Sequence, residues 1–372
     1  MSLVFDVASC VRASSKFSTC TKCLDICPVE TLELVENLPA FTPSACVTCG
    51  GCVGICPTEA FSLLGVSTVD FFFEFLESQQ KDLRCGERGI RCVSMLSVEH
   101  LIALALESAT PLLVYPQGCY CGGESAKLQD QILANVEEAN FVLESIANNK
   151  QIGVATTEPT IAEVSDLGGE APTTDRRSFL SLKTAIKSKQ HFDEAVDADE
   201  VKSFALDKTV LARMRETRIP DKRKLLFSVL KRQEKPQRYE TLASEDISFV
   251  SQKYVDANCT NCQICYRICP TGALSSDKRF SVINFDAMLC MKCHLCHDAC
   301  EPEAIHLQAG FETKELFEPT QRTLVTFNIK RCHSCGNHFT YTGGVQECFR
   351  CRIEEEEAME LHQNARKRDE EV

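Results

Sequence analysis

The chain has 372 residues, including 24 cysteines and no tryptophan, and its formal net charge at pH 7 is −13. This length leaves room for about two to four domains with hydrophobic cores. No stretch approaches the roughly 18–20 apolar residues of a membrane span. Residues 1–12 lack the apolar core of a signal peptide, so we expect a cytoplasmic protein. The acidic charge argues against a nucleic-acid partner and favours docking to basic patches on other proteins.

The cysteines occur mostly in pairs separated by two residues. Disulfide scaffolds are usually short secreted chains, so this grouping in a long chain favours bound metal and a reducing compartment.

Residues 1–66 contain two cysteine runs. The second is regular, C-x2-C-x2-C-x3-C, with Cys46, Cys49, Cys52 and Cys56. The first has Cys20, Cys23 and Cys27, but Phe17 occupies the position of the leading cysteine. Cys10 is the candidate replacement, returned to the same site by a loop over residues 11–19. A three-cysteine cluster that leaves Cys10 unused is the alternative. Between the runs, Leu32–Val35 and Ala40–Thr42 alternate around Asn37-Leu38-Pro39, which predicts a hairpin.

The two-residue gaps let three thiolates of one run reach one cubane, while the fourth turns away to the other run's cluster. We therefore predict two [4Fe-4S] sites in residues 1–66: the Cys10 quartet (Cys10, Cys20, Cys23, Cys56) and the Cys27 quartet (Cys27, Cys46, Cys49, Cys52).

Residues 67–157 show an α/β pattern. Apolar helices are predicted around Phe71–Leu76 and Leu101–Leu106, a buried strand at Pro111–Tyr115, and a further helical stretch opening at Phe141 before the apolar segment Ile152–Ala155. Four cysteines lie close to glycine turns in this region: Cys85, Cys92, Cys119 and Cys121.

The order of Ile90–Leu96, a helix, and a strand leading into Gly118-Cys119-Tyr120-Cys121 is similar to the iron–sulfur delta subunit of methyl-viologen-reducing hydrogenase. That resemblance implies a binuclear [2Fe-2S] cluster held by cysteines at strand ends. Here the last pair is C-x-C, where the family has a wider gap. A zinc site and buried cysteines that act as small hydrophobes are the alternatives.

Residues 158–250 are predicted to be a linker with helices. Between Lys208 and Arg238 there are eleven Lys or Arg and three Asp or Glu. A docking stripe for an acidic partner or a nucleic acid is one interpretation. The favoured one is a helix from Pro220 to about Arg232, with its charges solvated and these apolar residues inward: Leu225, Leu226, Phe227, Val229 and Leu230.

Residues 251–312 contain two complete runs of the same spacing. By the same reasoning they predict the Cys259 quartet (Cys259, Cys262, Cys265, Cys300) and the Cys269 quartet (Cys269, Cys290, Cys293, Cys296). The segment closely resembles the two-cluster bacterial ferredoxin domain. It departs from that family at Glu301, where proline is usual, a change that affects a turn and not a ligand.

Residues 323–353 begin with a predicted strand, Leu324–Ile329, and continue into two C-x2-C knuckles, the Cys332 quartet (Cys332, Cys335, Cys348, Cys351). This resembles a zinc ribbon, in which four thiolates bind one structural zinc ion. A rubredoxin-type iron site is the rival. The charged tail, 354–372, is predicted to be an exposed helix or disordered.

The predicted fold class is α+β: two ferredoxin-like 2[4Fe-4S] modules, a small α/β domain between them and a C-terminal zinc ribbon. The sequence shows no nucleotide fingerprint, phosphate loop or acid–base constellation at motif spacing. We therefore predict a chain without its own catalytic site that relays single electrons as part of a hetero-oligomeric complex with redox enzyme subunits. A maturation factor for a metalloenzyme is the alternative hypothesis. A nucleic-acid-associated cluster protein is the weakest hypothesis.

Overall fold

A computed structural model describes residues 2–86, 90–116, 125–146, 150–155 and 216–370. Most of the predicted linker, 158–250, lies outside these residues, as do Cys119 and Cys121. No helix in the described part of the chain is long and apolar enough to cross a membrane.

The first cysteine-rich module is built from two antiparallel strand pairs and three short helices. Strand β1 (Leu3–Phe5) pairs with β4 (Phe61–Leu63), while β2 (Leu32–Val35) and β3 (Leu38–Phe41) form a hairpin. Glu36 and Asn37 at its tip have φ of 50° and 69°, the left-handed conformation that tight hairpin turns require. The predicted hairpin is confirmed. The helices are α1 (Val11–Ser14), α2 (Lys22–Asp25) and α3 (Gly51–Ile55).

The second cysteine-rich module repeats this plan. Its outer strands β9 (Lys253–Val255) and β12 (Ile305–Leu307) pair as β1 and β4 do, and β10 (Leu274–Ser275) pairs with β11 (Val282–Asp286). Beside this frame, β8 (Thr241–Ala243) pairs with β13 (Gly310–Glu312). The module's short helices are Ile264–Arg267, Leu295–Asp298 and Lys314–Phe317.

The strand predicted at Leu324–Ile329 differs from the one observed. The chain forms β14 (Gln321–Thr326), which pairs with β11 of the second module and so extends that module's sheet. A separate strand β15 (Ile329–Arg331) then pairs with β16 (His338–Thr340) in the predicted ribbon. Alternation of apolar residues predicts a strand but not its partner, so the sequence did not reveal this division.

The α/β region contains a parallel sheet in the order β5 (Asp82–Leu83), β6 (Leu112–Val114), β7 (Ile152–Val154). Its predicted helices are found at Thr68–Glu77 and Val98–Glu107. The helical stretch predicted to open at Phe141 instead begins much earlier: the helix is Ser125–Ile146, and Phe141 lies near its end. Polar residues on its outer face hide the start of this helix from a search for apolar runs.

The helix predicted from Pro220 to Arg232 is observed at Asp221–Leu230, and we call it the bridging helix. Leu225, Leu226, Val229 and Leu230 are buried, as predicted, and each contributes about 1.5–3 kcal/mol through burial. Phe227, also predicted to face inward, is only half-buried. The prediction that its charges are solvated is wrong for two of them. Lys222 and Arg223 have only 4% and 0% of their surfaces exposed.

Arg223 is hydrogen bonded to three parts of the chain. Its guanidinium donates to Glu99 Oε1 in the α/β region (2.5 Å), to the carbonyl oxygens of Met288 and Cys290 (3.1 Å to the latter), and to that of Phe249 (2.6 Å). Burial of a charge is tolerated only when it is paired and hydrogen bonded in this way. The helix thus joins the α/β region to the second module through one cation.

The first module binds the N-terminus of the same helix. The backbone N–H groups of Asp221 and Lys222 donate to the Glu59 carboxylate at 2.7 and 3.0 Å. Lys222 Nζ donates to the Cys56 carbonyl oxygen at 2.5 Å. Glu59 therefore satisfies backbone donors that a helix leaves unpaired at its start.

We expect Glu99→Ala to lower the free energy of unfolding by about 3–5 kcal/mol, because it leaves the Arg223 charge buried without its partner. Guanidinium-induced unfolding of the metal-loaded chain measures this. Lys224→Ala is the control, since its pair with Asp221 is half-exposed and we expect a change of at most about 1 kcal/mol. Equal effects of the two changes would contradict the role given to Arg223.

Candidate iron–sulfur and metal centres

The three regular cysteine runs fold into the same loop. In each, the residue before the second cysteine and the residue after it are left-handed: Thr48 and Gly50, Asn261 and Gln263, Lys292 and His294. A non-glycine residue in this conformation costs about 1–3 kcal/mol and persists only where its surroundings impose it. Three occurrences at matching positions indicate that the loop is shaped for what its cysteines hold.

Backbone N–H groups in these loops lie near the sulfurs. Those of Gly51, Asn261 and Leu295 favour the thiolate forms of Cys49, Cys259 and Cys293, respectively, because each places a positive N–H dipole near the sulfur. Hydrogen bonds of this kind are among the factors that set the reduction potential of an iron–sulfur cluster.

The turn after the last cysteine of each run is also repeated. The third residue beyond that cysteine is left-handed in all four cases, with φ of 49° at Glu30, 54° at Glu59, 71° at Gly272 and 49° at Glu303. The next N–H donates to the cysteine sulfur at 3.3 Å from Ala60 to Cys56 and from Ala304 to Cys300. Glu301, in place of the usual proline, therefore leaves the turn intact.

The structure brings the four members of the Cys10 quartet together. Burial raises the pKa of the Cys23 thiol to about 12, and the sulfurs of Cys56, Cys20 and Cys10 add to this rise. Burial likewise raises the pKa of Cys10 to about 11, with further contributions from Cys56 and Cys20.

Cys10 enters this site between a 3₁₀ turn at Val7–Ser9 and the short helix α1. The Ala13 N–H donates to the Cys10 carbonyl oxygen at 3.0 Å, and the Arg12 N–H favours the thiolate form of the Cys10 side chain. Phe17 has 56% of its surface exposed, so the side chain at the position of the expected cysteine points toward solvent. This geometry favours Cys10 as the fourth ligand over the three-cysteine alternative.

The Cys27 quartet is the second predicted cluster site of the first module. Burial raises the pKa of the Cys52 thiol well above its usual value. Four neighbouring sulfurs raise it further, in this order of effect: Cys49, Cys23, Cys46 and Cys27. Cys23 belongs to the Cys10 quartet, so the two sites of this module are neighbours.

The two quartets of the second module are arranged in the same way. Burial raises the pKa of the Cys265 thiol to about 12, with Cys262, Cys259 and Cys300 as the sulfurs that add to it. In the Cys269 quartet burial raises the pKa of Cys293, helped by the sulfurs of Cys290, Cys296 and Cys269.

These surroundings fit iron–sulfur clusters. None of the sixteen cysteines in the four ferredoxin-like quartets forms a disulfide. When four sulfurs lie close together, the negative charge of one thiolate disfavours deprotonation of the others. A bound metal has the opposite effect, since a thiol that coordinates a metal is deprotonated outright. The donor set, four cysteine sulfurs with N–H groups directed at them, is the one that [4Fe-4S] clusters use.

The apolar residues next to the cysteines are buried to different degrees. Ile26 and Leu295 are buried, with 5% and 0% of their surfaces exposed, whereas Ile264 is 38% exposed. Cys262 is also exposed. Of the two quartets in the second module, the Cys259 quartet therefore lies nearer to solvent.

Cys85 and Cys92 lie beside the Cys27 quartet. Their sulfurs are 3.5 Å apart, and Cys92 is fully buried. Burial raises the pKa of Cys49, and the Cys92 sulfur adds more to this rise than the sulfurs of Cys27 and Cys46 do. The other two predicted members, Cys119 and Cys121, lie outside the described residues, so a [2Fe-2S] site here stays a prediction.

The Cys332 quartet forms a compact metal-binding group. Its four sulfurs all lie within 4.8 Å of one another. N–H groups of Cys335 and Cys348 lower the pKa of Cys332 to about 6. A set of four thiols at tetrahedral spacing can bind zinc or iron.

The ribbon contacts the second module at a cluster loop. Asn261, which lies between Cys259 and Cys262, donates from Nδ2 to Thr340 Oγ1 at 3.0 Å and to the Phe280 carbonyl oxygen at 2.9 Å. The helix Phe349–Glu370 begins within the second knuckle of the ribbon and includes residues 354–370 of the predicted tail, and Glu354–Glu357 are exposed on it. Of the two predicted alternatives for the tail, the exposed helix is the one observed.

Several polar residues around the sites had no signal in the sequence. Ser251 Oγ lies 3.3 Å from the Cys290 sulfur. Asp298 accepts from the Thr19 N–H at 2.8 Å and from Thr19 Oγ1 at 3.2 Å. Such residues belong to no spacing motif, because their roles depend on contacts between distant parts of the chain.

Residues 258–304 match the family model of the 4Fe-4S dicluster domain. The matched segment contains all eight cysteines of the Cys259 and Cys269 quartets. This part of the chain is therefore an iron–sulfur domain of the dicluster class, as the spacing predicted. No protein of curated function and no solved structure matches the chain. The similarity of residues 67–157 to a hydrogenase delta subunit stays a prediction.

We expect Cys10→Ala to remove about four irons per chain, since it takes one ligand from one [4Fe-4S] site. Iron and acid-labile sulfide analysis of anaerobically purified protein measures the loss. Phe17→Ser is the control and should leave the iron content unchanged. Full iron content in the Cys10→Ala chain would instead support the three-cysteine cluster.

We expect Cys348→Ala to remove about one zinc ion per chain and to leave the iron content unchanged. Elemental analysis distinguishes the two metals, and Ser334→Ala in the other knuckle of the ribbon serves as the control. Loss of about one iron in place of zinc would favour the rubredoxin-type site.

Proposed function

We propose that this chain is an iron–sulfur electron-transfer protein that holds four [4Fe-4S] clusters and relays single electrons between redox proteins. The dicluster domain at 258–304 supports an electron-transfer role directly. The observation that carries the extension to four clusters is the repeated loop geometry, which is the same in residues 46–56 as in the matched domain.

The protein's own residues would hold the clusters, shield them and set their potentials. Sixteen cysteine sulfurs are the proposed ligands. Backbone N–H groups directed at those sulfurs stabilise the more negative, reduced state, and buried side chains such as Ile26 and Leu295 exclude water. Bound in this way, [4Fe-4S] clusters accept and release one electron at a time.

The α/β region and the ribbon have supporting roles in this proposal. Cys85 and Cys92 would be two ligands of a further [2Fe-2S] site beside the Cys27 quartet, with Cys119 and Cys121 as the remaining candidates. The Cys332 quartet would hold zinc with no open coordination position, so that ion would shape a surface and take no part in electron transfer. The acidic chain would dock on basic patches of a dehydrogenase- or hydrogenase-type partner within a hetero-oligomeric complex.

The decisive experiment is anaerobic purification followed by metal analysis and stepwise reduction. We expect about sixteen cubane irons per chain, and uptake of about four electrons by those sites in one-electron steps, followed by electron paramagnetic resonance. The metal-free chain is the control and should take up none. Iron near eight would mean that one module is not a two-cluster ferredoxin. Colourless protein with its sulfurs joined as cystines would overturn the proposal.

Co-purification tests the role in a complex. A catalytic subunit recovered in stoichiometric amount supports the relay. A transient complex with a metal-free enzyme would support the maturation factor instead.

A further inference from the structure

The two modules meet through the loops of one quartet from each. Thr19, adjacent to Cys20, donates both its N–H and its hydroxyl to Asp298. Asp298 lies between Cys296 and Cys300, at the end of the short helix that contains Cys296. The Cys10 quartet therefore lies against a helix that contains a cysteine of the Cys269 quartet.

The bridging helix ties the same two quartets together. Lys222 donates to the carbonyl oxygen of Cys56, and the next residue, Arg223, donates to that of Cys290, at 2.5 and 3.1 Å. Two adjacent buried cations on one helix therefore contact a ligand cysteine in each module. Because both side chains are almost fully buried, the joint is held by packed, paired groups.

Contacts inside each module set the rest of the order. The short helix Lys22–Asp25, which contains Cys23 of the Cys10 quartet, packs against Gly51–Ile55, which contains Cys52 of the Cys27 quartet. In the second module Ile264–Arg267, with Cys265 of the Cys259 quartet, packs likewise against Leu295–Asp298, with Cys296 of the Cys269 quartet. The far end of the first module packs on the α/β region, where a Cβ on Gly54 would lie 2.0 Å from the Ser94 carbonyl oxygen. The far end of the second module contacts the ribbon through Asn261.

From these contacts we infer that the four cluster sites form a single file. The order is the Cys27 quartet, the Cys10 quartet, the Cys269 quartet and the Cys259 quartet. Electrons pass between the modules at the joint formed by Asp298 and Lys222-Arg223. This rests on the proposed function. One end of the file faces Cys92 and the α/β region, and the other is the partly exposed Cys259 quartet next to the ribbon. Electrons would enter at one end and leave at the other, so each end would serve a different redox partner.

Magnetic interaction between reduced clusters tests the order, because dipolar interaction falls with the cube of distance. Cys49→Ala with Cys262→Ala removes the two outer sites and leaves the inner pair. Cys23→Ala with Cys293→Ala is the matched control, which removes the inner sites and leaves the outer pair. We expect the fully reduced inner pair to give a split, interacting spectrum and the outer pair to give the sum of two independent signals.

Iron content separates failure of this inference from failure of the proposed function. Each double variant should retain about eight cubane irons per chain. An inner pair with that iron content and a purely additive spectrum would overturn the single file while leaving the four-cluster proposal intact. An unaltered chain with iron near eight would overturn the four-cluster proposal itself.

A variant with all cysteines present gives a second measurement where a double variant does not fold. Asp298→Ala removes the two hydrogen bonds from Thr19 at the exposed edge of the joint. We expect full iron content with weaker inter-cluster broadening and slower equilibration of electrons between the modules. Asp25→Ala, which loses only a hydrogen bond to Thr21 within one module, should behave like the unaltered chain. Identical spectra and kinetics for Asp298→Ala would overturn the assignment of this joint.

Discussion

The buried cation of Arg223 is the interaction on which the arrangement of this protein depends. It pairs with Glu99 and donates to the carbonyl oxygens of Met288, Cys290 and Phe249. A charge without water must have all its partners in place. The α/β region and the second module are therefore held in one relative position, and Lys222 brings Cys56 of the first module to the same helix.

A second constraint lies within the cluster loops themselves. Three runs place left-handed residues at the same two positions, and four turns place one at the third residue beyond the last cysteine. Residues such as His294 and Lys292 would not adopt this conformation on their own account. The strain is accepted because the loop must direct sulfurs and N–H groups inward together, which is what cluster binding requires.

The sequence predicted the local chemistry well and the contacts between segments poorly. The cysteine spacing predicted the dicluster domain that residues 258–304 match, while the two quartets of residues 1–66 stay predictions. The charges of the bridging helix were misjudged, because a basic run is usually solvated and nothing local distinguishes Arg223 from Lys224. The predicted strand Leu324–Ile329 was assigned to the ribbon, whereas the observed strand Gln321–Thr326 pairs with the second module, because periodicity does not identify a strand's partner.

By itself, the sequence determined which residues can bind metal, since the reach of a two-residue gap limits which sulfurs can share one site. It also determined the hairpin and the buried face of the bridging helix. Only the tertiary structure decided where Cys10 goes, which quartets face each other and which cations are buried. Those features depend on contacts between residues far apart in the chain, such as Thr19 with Asp298, and local spacing contains no information about them.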